Sequence, residues 1–312
     1  VRSRGLGDVY KRQPVQYIRP EIIGLILGAY VLSMIRGEHQ SKGGSSPIIR
    51  FILGFFVMIG ALMFLGCPIR MILRLGGGDL NALFGIAGFA GGIGVGTIFL
   101  KKGYSLQRTY ALSKLESAMM PAIQVGLLVL VVTAPAFILF SQKGPGAMHA
   151  PWLISLAAGL VVGGLSQFSR LCTVGGFRDL FLFKKSILIF GYLAVLIGVF
   201  VVNISFGNFH LGFENQPIAH TDGLWNFLGM ALAGFCSVLL GGCPLRQLIM
   251  TGEGNSDSAV TVLGLAAGAA FAHNFGLAAS GAGPTLNGEI AVGVGFVVAF
   301  IIAVLNTKRS NA

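Results

Sequence analysis

Charge is what this sequence has least of. Only 11% of its 312 residues are Asp, Glu, Lys or Arg, against roughly 25% in ordinary soluble domains. That deficit excludes a chain folded around one core in water, and no soluble domain of ordinary size remains once the apolar stretches are set aside. Histidine is scarce too, five in all, and only His273 falls in an apolar stretch. A haem-carrying subunit needs paired axial ligands on its spans, so that class is excluded. No strand precedes the glycines of "GDLNALFGIAGFAGGIGVG", which removes a nucleotide-binding loop. Cysteine is limited to four residues. We expect no cofactor, no metal, no catalytic residue and no nucleic-acid partner, so the chain reads as a non-enzyme.

What is present is apolar side chain and glycine. The sequence is 54% hydrophobic, with a mean hydropathy of +0.80. Its 47 glycines are about twice the usual roughly 7%, which in a bilayer lets helices approach closely and lets backbones break at depth. Nine apolar stretches are long enough to cross a hydrocarbon layer of about 30 Å. They run approximately over 20–35, 48–66, 80–100, 121–140, 151–169, 186–203, 223–242, 259–280 and 288–306. The expected class is an all-α integral membrane protein of about nine transmembrane helices. Basic residues concentrate after the odd-numbered spans: Arg36, Lys42 and Arg50, then Lys101, Lys102, Arg108 and Lys114, then Arg170, Arg178, Lys184 and Lys185. The intervals after spans four, six and eight hold only Lys143, with His210, Glu214, His220, Asp222 and Glu289. Positive residues favour the cytoplasmic side, which places the odd-numbered loops and the C-terminus there and accounts for the net charge of +11.

Residues 66–70 read "GCPIR" and residues 242–246 read "GCPLR". At this offset of 176, Phe51 also meets Phe227, Arg70 meets Arg246, Gly76 meets Gly252 and Gly78 meets Gly254. The register continues without a gap through Gly88, Ala90 and Gly92, which meet Gly264, Ala266 and Gly268. The matched units are spans two and three against spans seven and eight. They lie five crossings apart, an odd number, so the two copies are expected to face opposite sides as an inverted-topology repeat, with broken or re-entrant segments converging near the midplane. Span one then answers span six, and span four answers span nine. The mate of span five would fall before residue 14. The first thirteen residues, "VRSRGLGDVYKRQ", are basic and polar with no apolar core, and fit neither a signal peptide nor a span. We read 1–13 as a non-native leader and 14–312 as a single transmembrane domain, with repeat halves of about 14–140 and 151–306 and one further crossing in the native protein.

In each GCP phrase proline favours the first position of a helix, so Cys67 and Cys243 are expected to cap short helices starting at Pro68 and Pro244. Arg50 to Gly66 gives about 24 Å of helix, short of a full crossing, so the break is expected inside the membrane. A helix N-terminus offers free N–H groups and the positive end of its dipole, a site for an anion. Arg70 and Arg246, three residues on, share the helical face of their cysteines. Gly66 and Gly242 complete the phrases. Cys236 aligns with Gly60 and is read as a small core residue. A third phrase, "SRLCTVGGFRDLFLFKK", crowds Arg170, Cys172, Arg178 and Asp179 into what reads as a cytoplasmic-side loop. His273, Asn274 and Gln167 are polar groups near span ends, suspected of function or of bonding backbone only. Asp79 and Asp257 read as turn residues.

The phrases "GCPIRMILRLGGGD", "SRLCTVGGFRD" and "GGCPLRQLIMTGEGNSD" together resemble the YeeE/YedE family of sulfur-compound transporters over nearly the whole chain from about residue 20, and look closest to the YedE-type branch associated with selenium metabolism. The resemblance implies uptake of a small thiosulfate-like or selenium-containing anion across a bacterial inner membrane. The cargo would pass an hourglass centre along thiols, here Cys67, Cys172 and Cys243, and reach a cytoplasmic sulfur- or selenium-carrier protein. It also implies a further cysteine-bearing loop near the N-terminus. A different class is a transmembrane thiol–disulfide electron relay, in which Cys67 and Cys243 would form an oxidisable bond. The arginines disfavour it, because a dithiol relay needs no cation and an oxyanion does.

Overall fold

The computed structural model describes residues 18–133 and 150–307; the leader expected at 1–13 lies outside them. Twelve helices form among the described residues: α1 Pro20–Ile35, α2 Pro47–Phe64, α3 Pro68–Gly76, α4 Asn81–Lys101, α5 Lys114–Thr133, α6 Trp152–Ser169, α7 Thr173–Phe183, α8 Ile187–Ser205, α9 Gly223–Leu240, α10 Pro244–Gly252, α11 Ser256–Asn274 and α12 Leu286–Leu305. A two-residue ladder, β1 Lys42–Gly43 with β2 Tyr110–Ala111, pins two loops together. Three short helices continue the one before them across a break, giving the bent units Pro47–Gly76, Trp152–Phe183 and Gly223–Gly252.

Seven of the nine expected crossings have the length and hydropathy of a full span, and the chain is a multi-pass membrane protein. The other two fall short for visible reasons. α1 has 16 residues, about 24 Å of rise. α11 carries Ser256, Asp257 and Ser258 at one end and His273 and Asn274 at the other. The segment around Cys172 departs from expectation: it is not a loop but the start of α7. The Cys172 sulfur accepts from the Gly175 N–H at 3.2 Å, which closes the first turn, and the apolar run "DLFLF" carries the helix on.

The sequence repeat is reproduced contact by contact. Gly88 of α4 meets the backbone of Phe227 in α9, and Gly264 of α11 meets the backbone of Phe51 in α2. Four residues on, Gly92 meets Ala231 and Gly268 meets Phe55. Each partner pair carries the same offset of 176, and in all four places a Cβ would collide with main chain, so only glycine permits the approach. The short helices repeat the pattern. Gly76 of α3 sits against Val199 and Phe200 of α8, as Gly252 of α10 sits against Ile26 and Tyr30 of α1. The turns do so as well: the His210 N–H donates to Gly77 and Gly212 to Gly78, while Gln40 donates to Glu253 and Lys42 to Gly254.

The core divides in two. One cluster gathers Leu53, Val57, Met63, Leu232, Phe235, Cys236 and Leu265 between α2, α9 and α11. The other gathers Phe64, Met71, Phe89, Cys172, Val174, Cys243 and Ile249 around the three breaks. α8, by contrast, buries none of its residues.

Candidate anion path at the helix breaks

All three breaks share one backbone design. Leu65 (φ 62°), Arg170 (φ 54°) and Gly241 (φ 83°) are left-handed residues that end α2, α6 and α9. Each is followed by one residue and then by a cysteine in extended conformation that caps the next helix: Cys67 (ψ 170°), Cys172 (ψ 115°) and Cys243 (ψ 166°). Proline enforces the restart at 68 and 244; at 172 the cysteine's own cap bond does so. Leu65 and Arg170 hold a conformation that L side chains rarely adopt, at a cost of about 1–3 kcal/mol each, which the surrounding helices must offset.

The three thiols converge. Cys243 and Cys172 lie close enough for their side chains to interact, and Thr173 lies beside Cys243 as well, its buried hydroxyl without a hydrogen-bond partner. Cys67 is near enough for a charge on it to interact with one on Cys243, and the N–H groups of Ile69 and Arg70 face its sulfur. Tyr192 of α8 lies close to both Cys67 and Cys243, and its buried hydroxyl has no hydrogen-bond partner. All four cysteines are free, and Cys67 is the least buried. Cys236 stands apart, fully buried in the first core cluster.

The arginines are placed alike and paired differently. Gly66 leaves room for Arg70 to fold back over its loop, and Gly242 does the same for Arg246. Among the described residues the Arg70 guanidinium makes no hydrogen bond or ion pair, and its buried Nε has no partner. It lines a cleft of about 550 Å³ with Leu73, Arg74, Asn203, Asn208, His210 and Gln216. Arg74 is spoken for: it binds Asp79 at 2.6 Å and the Phe64 carbonyl at 2.5 Å, and lies 4.0 Å over the Phe64 ring. Arg246 instead makes two parallel bonds of 3.0 Å to Glu253. Arg170 joins them at 3.2 Å to Glu253 and 2.8 Å to Glu38, and Glu38 also accepts from Arg36 at 2.9 Å and Gln167 at 2.7 Å. The Arg36 and Gln167 bonds hold the Glu38 carboxyl below its ordinary range.

The other candidates lie elsewhere. Arg178 bonds its neighbour Asp179 at 2.9 Å on α7. His273 and Asn274 are exposed at the end of α11, where Asn274 bonds the Ala270 carbonyl. Asp79 accepts from the Asn81 N–H and from Arg74, and Asp257 accepts from the Gly44 and Ser45 N–H groups, so both organise turns. Tyr192, Thr173 and Glu253 escaped the sequence reading. A lone tyrosine inside an apolar span is the one signal that marks its position in advance.

Residues 168–307 match the sulphur-transport family. The match takes in Cys172, Cys243, Arg170, Arg246 and Glu253, leaves Cys67 and Arg70 outside, and points to a transporter of sulfur compounds. No curated protein matches the chain.

Proposed function

We propose that the chain is an inner-membrane permease, not an enzyme, that carries a thiosulfate-like or selenium-containing anion past Cys67, Cys243 and Cys172. The observation that carries this reading is the meeting of three thiols, each at the N-terminus of a short helix, inside a membrane protein with a sulphur-transport match. A polarizable sulfur or selenium atom suits contact with thiols, and its oxygens suit helix N–H groups and arginine. Arg70 receives the anion in the open cleft, and the unpartnered Tyr192 hydroxyl offers a donor near Cys67 and Cys243.

An inverted hourglass is supported by the crossing of the two matched helices. Gly60 of α2 meets Gly229 and Ala233 of α9, while Met63, further along α2, meets Gly229 and through its carbonyl accepts from His220, which precedes α9. Contacts that retreat along one helix as they advance along the other mark antiparallel packing, and antiparallel packing of equivalent helices implies a twofold axis across them. With the charge bias of the loops, this supports a reading in which the Arg70 cleft opens outside and Arg246, Glu253 and the C-terminus face the cytoplasm, where a carrier protein would collect the cargo.

Uptake of labelled thiosulfate and of selenium oxyanions into proteoliposomes tests the reading. Saturable uptake of at least one is expected, with chloride not competing; absence of uptake for every sulfur and selenium anion overturns it. The proximity of Cys172 and Cys243 favours one second reading, the electron relay, with this pair in place of the expected Cys67 and Cys243. There a disulfide on one side accepts two electrons and two protons from the two thiols, which become a disulfide, and a dithiol on the opposite side reduces it again and is itself oxidised. A relay passes electrons with no anion present, whereas a permease accumulates label under reducing conditions.

A further inference from the structure

The cytoplasmic-side arginines are occupied, and their occupant has the shape of a cargo. Glu253 presents two oxygens to Arg246 in a fork-to-fork pair, the geometry in which an oxyanion of sulfur or selenium would also bind. The pair is largely withdrawn from water, with 13% of the Arg246 side chain and 12% of that of Glu253 exposed. The repeat supplies the control. The position of Glu253 corresponds to Gly77 in the other half, and there the matching Arg70 faces an open cleft. One carboxylate therefore distinguishes a closed arginine from an open one. A second feature marks the same place: Arg170 sits in the left-handed region while its guanidinium spans Glu253 and Glu38.

We infer that Arg246 and Arg170 form a second anion site, on the far side of the thiols from Arg70, in which Glu253 stands in for the cargo until the cargo displaces it. This rests on the permease reading and adds to it the residues that release the anion. Glu253 closes the route while the site is empty; an arriving dianion takes over the two arginines, and the freed carboxylate swings to water. Closing and cargo release then share the same two cations, so the route opens only when an anion is present to hold them. Glu38 tethers Arg170 from the outer side of the cluster and sets how readily it lets go.

The test uses Cys243, one helical turn before Arg246, in inverted membrane vesicles of the full chain. Its modification by an anionic sulfonate-bearing thiol reagent and by a cationic one of similar size is followed residue by residue by mass spectrometry. In Glu253→Gln the anionic reagent is expected to gain about tenfold over the cationic one, and Arg246→Gln should abolish the gain. In the unaltered protein, thiosulfate should speed labelling of Cys243 by the cationic reagent, while chloride at equal ionic strength should not; this arm needs no variant to fold. An unchanged reagent ratio in Glu253→Gln, or equal effects of thiosulfate and chloride, overturns the second site. Either can occur while proteoliposomes still take up thiosulfate, in which case the permease reading stands and only this site falls.

Discussion

The two halves of the molecule use the same five-residue phrase and do different things with it. Around α3 and around α10 the backbone is the same in kind: a left-handed residue, a glycine under an arginine, a cysteine cap, a proline restart. The neighbours also correspond, with α8 against α3 and α1 against α10. Yet Arg70 opens on a cleft and Arg246 is clasped by Glu253. What is duplicated holds the scaffold; what differs is how each arginine is paired. A transporter made of two identical halves has no preferred side, so its asymmetry has to come from residues such as Glu253 and Gly77 that break the repeat.

The duplicated part should break symmetrically and hardest. Gly88→Val and Gly264→Val each force a side chain into the backbone of a parallel helix, and each should lose about 3 kcal/mol or more. Little folded protein is then expected in the membrane for either, as read by detergent-resistant gel filtration. If one variant were tolerated and the other not, the two contacts would not be equivalent. Next come the thiols. Losing a hydrogen bond to a charged ligand costs about 1.5–3 kcal/mol, or roughly ten- to a hundred-fold in affinity. Cys67→Ala and Cys243→Ala should each lower thiosulfate uptake by at least about tenfold while leaving the folded protein in place. Normal uptake in either removes that thiol from the path.

The asymmetric part offers a sharper test. Gly77→Glu places a carboxylate where the repeat puts Glu253, within reach of Arg70 by analogy with Arg246. Uptake should fall by about fivefold, the lower end of a coupling of roughly 1–3 kcal/mol, as the new carboxylate competes with cargo for Arg70. High salt should restore part of it, since the cleft is open to solvent and its ion pair is screened. If Gly77→Glu transports normally, the difference at this position does not explain why one arginine is open and the other closed.

These contrasts also explain what the sequence could disclose. The positions of α2, α4, α6, α8, α9 and α12 follow from hydropathy, because burial in lipid acts on every residue of a span. The repeat was legible because close backbone contact admits only glycine, which left Gly88, Gly92, Gly264 and Gly268 in register. α7 was hidden: its break has no proline and no glycine, and the left-handed residue is Arg170, which composition reads as one more cytoplasmic charge. The Arg170–Glu253 and Gln167–Glu38 contacts join residues 83 and 129 positions apart, and no periodicity records a pairing over such distances. The Tyr192–cysteine proximity is of the same kind. Glu253 lies in a glycine-rich turn, where nothing in the local sequence marks its pairing with Arg246 and Arg170.

The smallest effect is expected at the fourth cysteine, and it bears on the same comparison. Cys236 occupies the repeat position of Gly60, so one half of the molecule carries no thiol there at all. It is fully buried between Leu232, Phe235, Leu239 and Leu240, away from the helix breaks and without an N-terminal N–H array to act on an anion. Truncation removes one sulfur from an apolar contact surface, a loss of about 1 kcal/mol by the usual scale for a small buried group. Cys236→Ala should therefore leave uptake within about twofold of the unaltered protein, with a slight fall in thermal stability. That outcome would make the Cys67 and Cys243 effects specific to position rather than to thiol loss anywhere in the core. A drop in uptake as large as theirs would instead mean that packing between α2 and α9, and not the contact of thiols with cargo, limits transport.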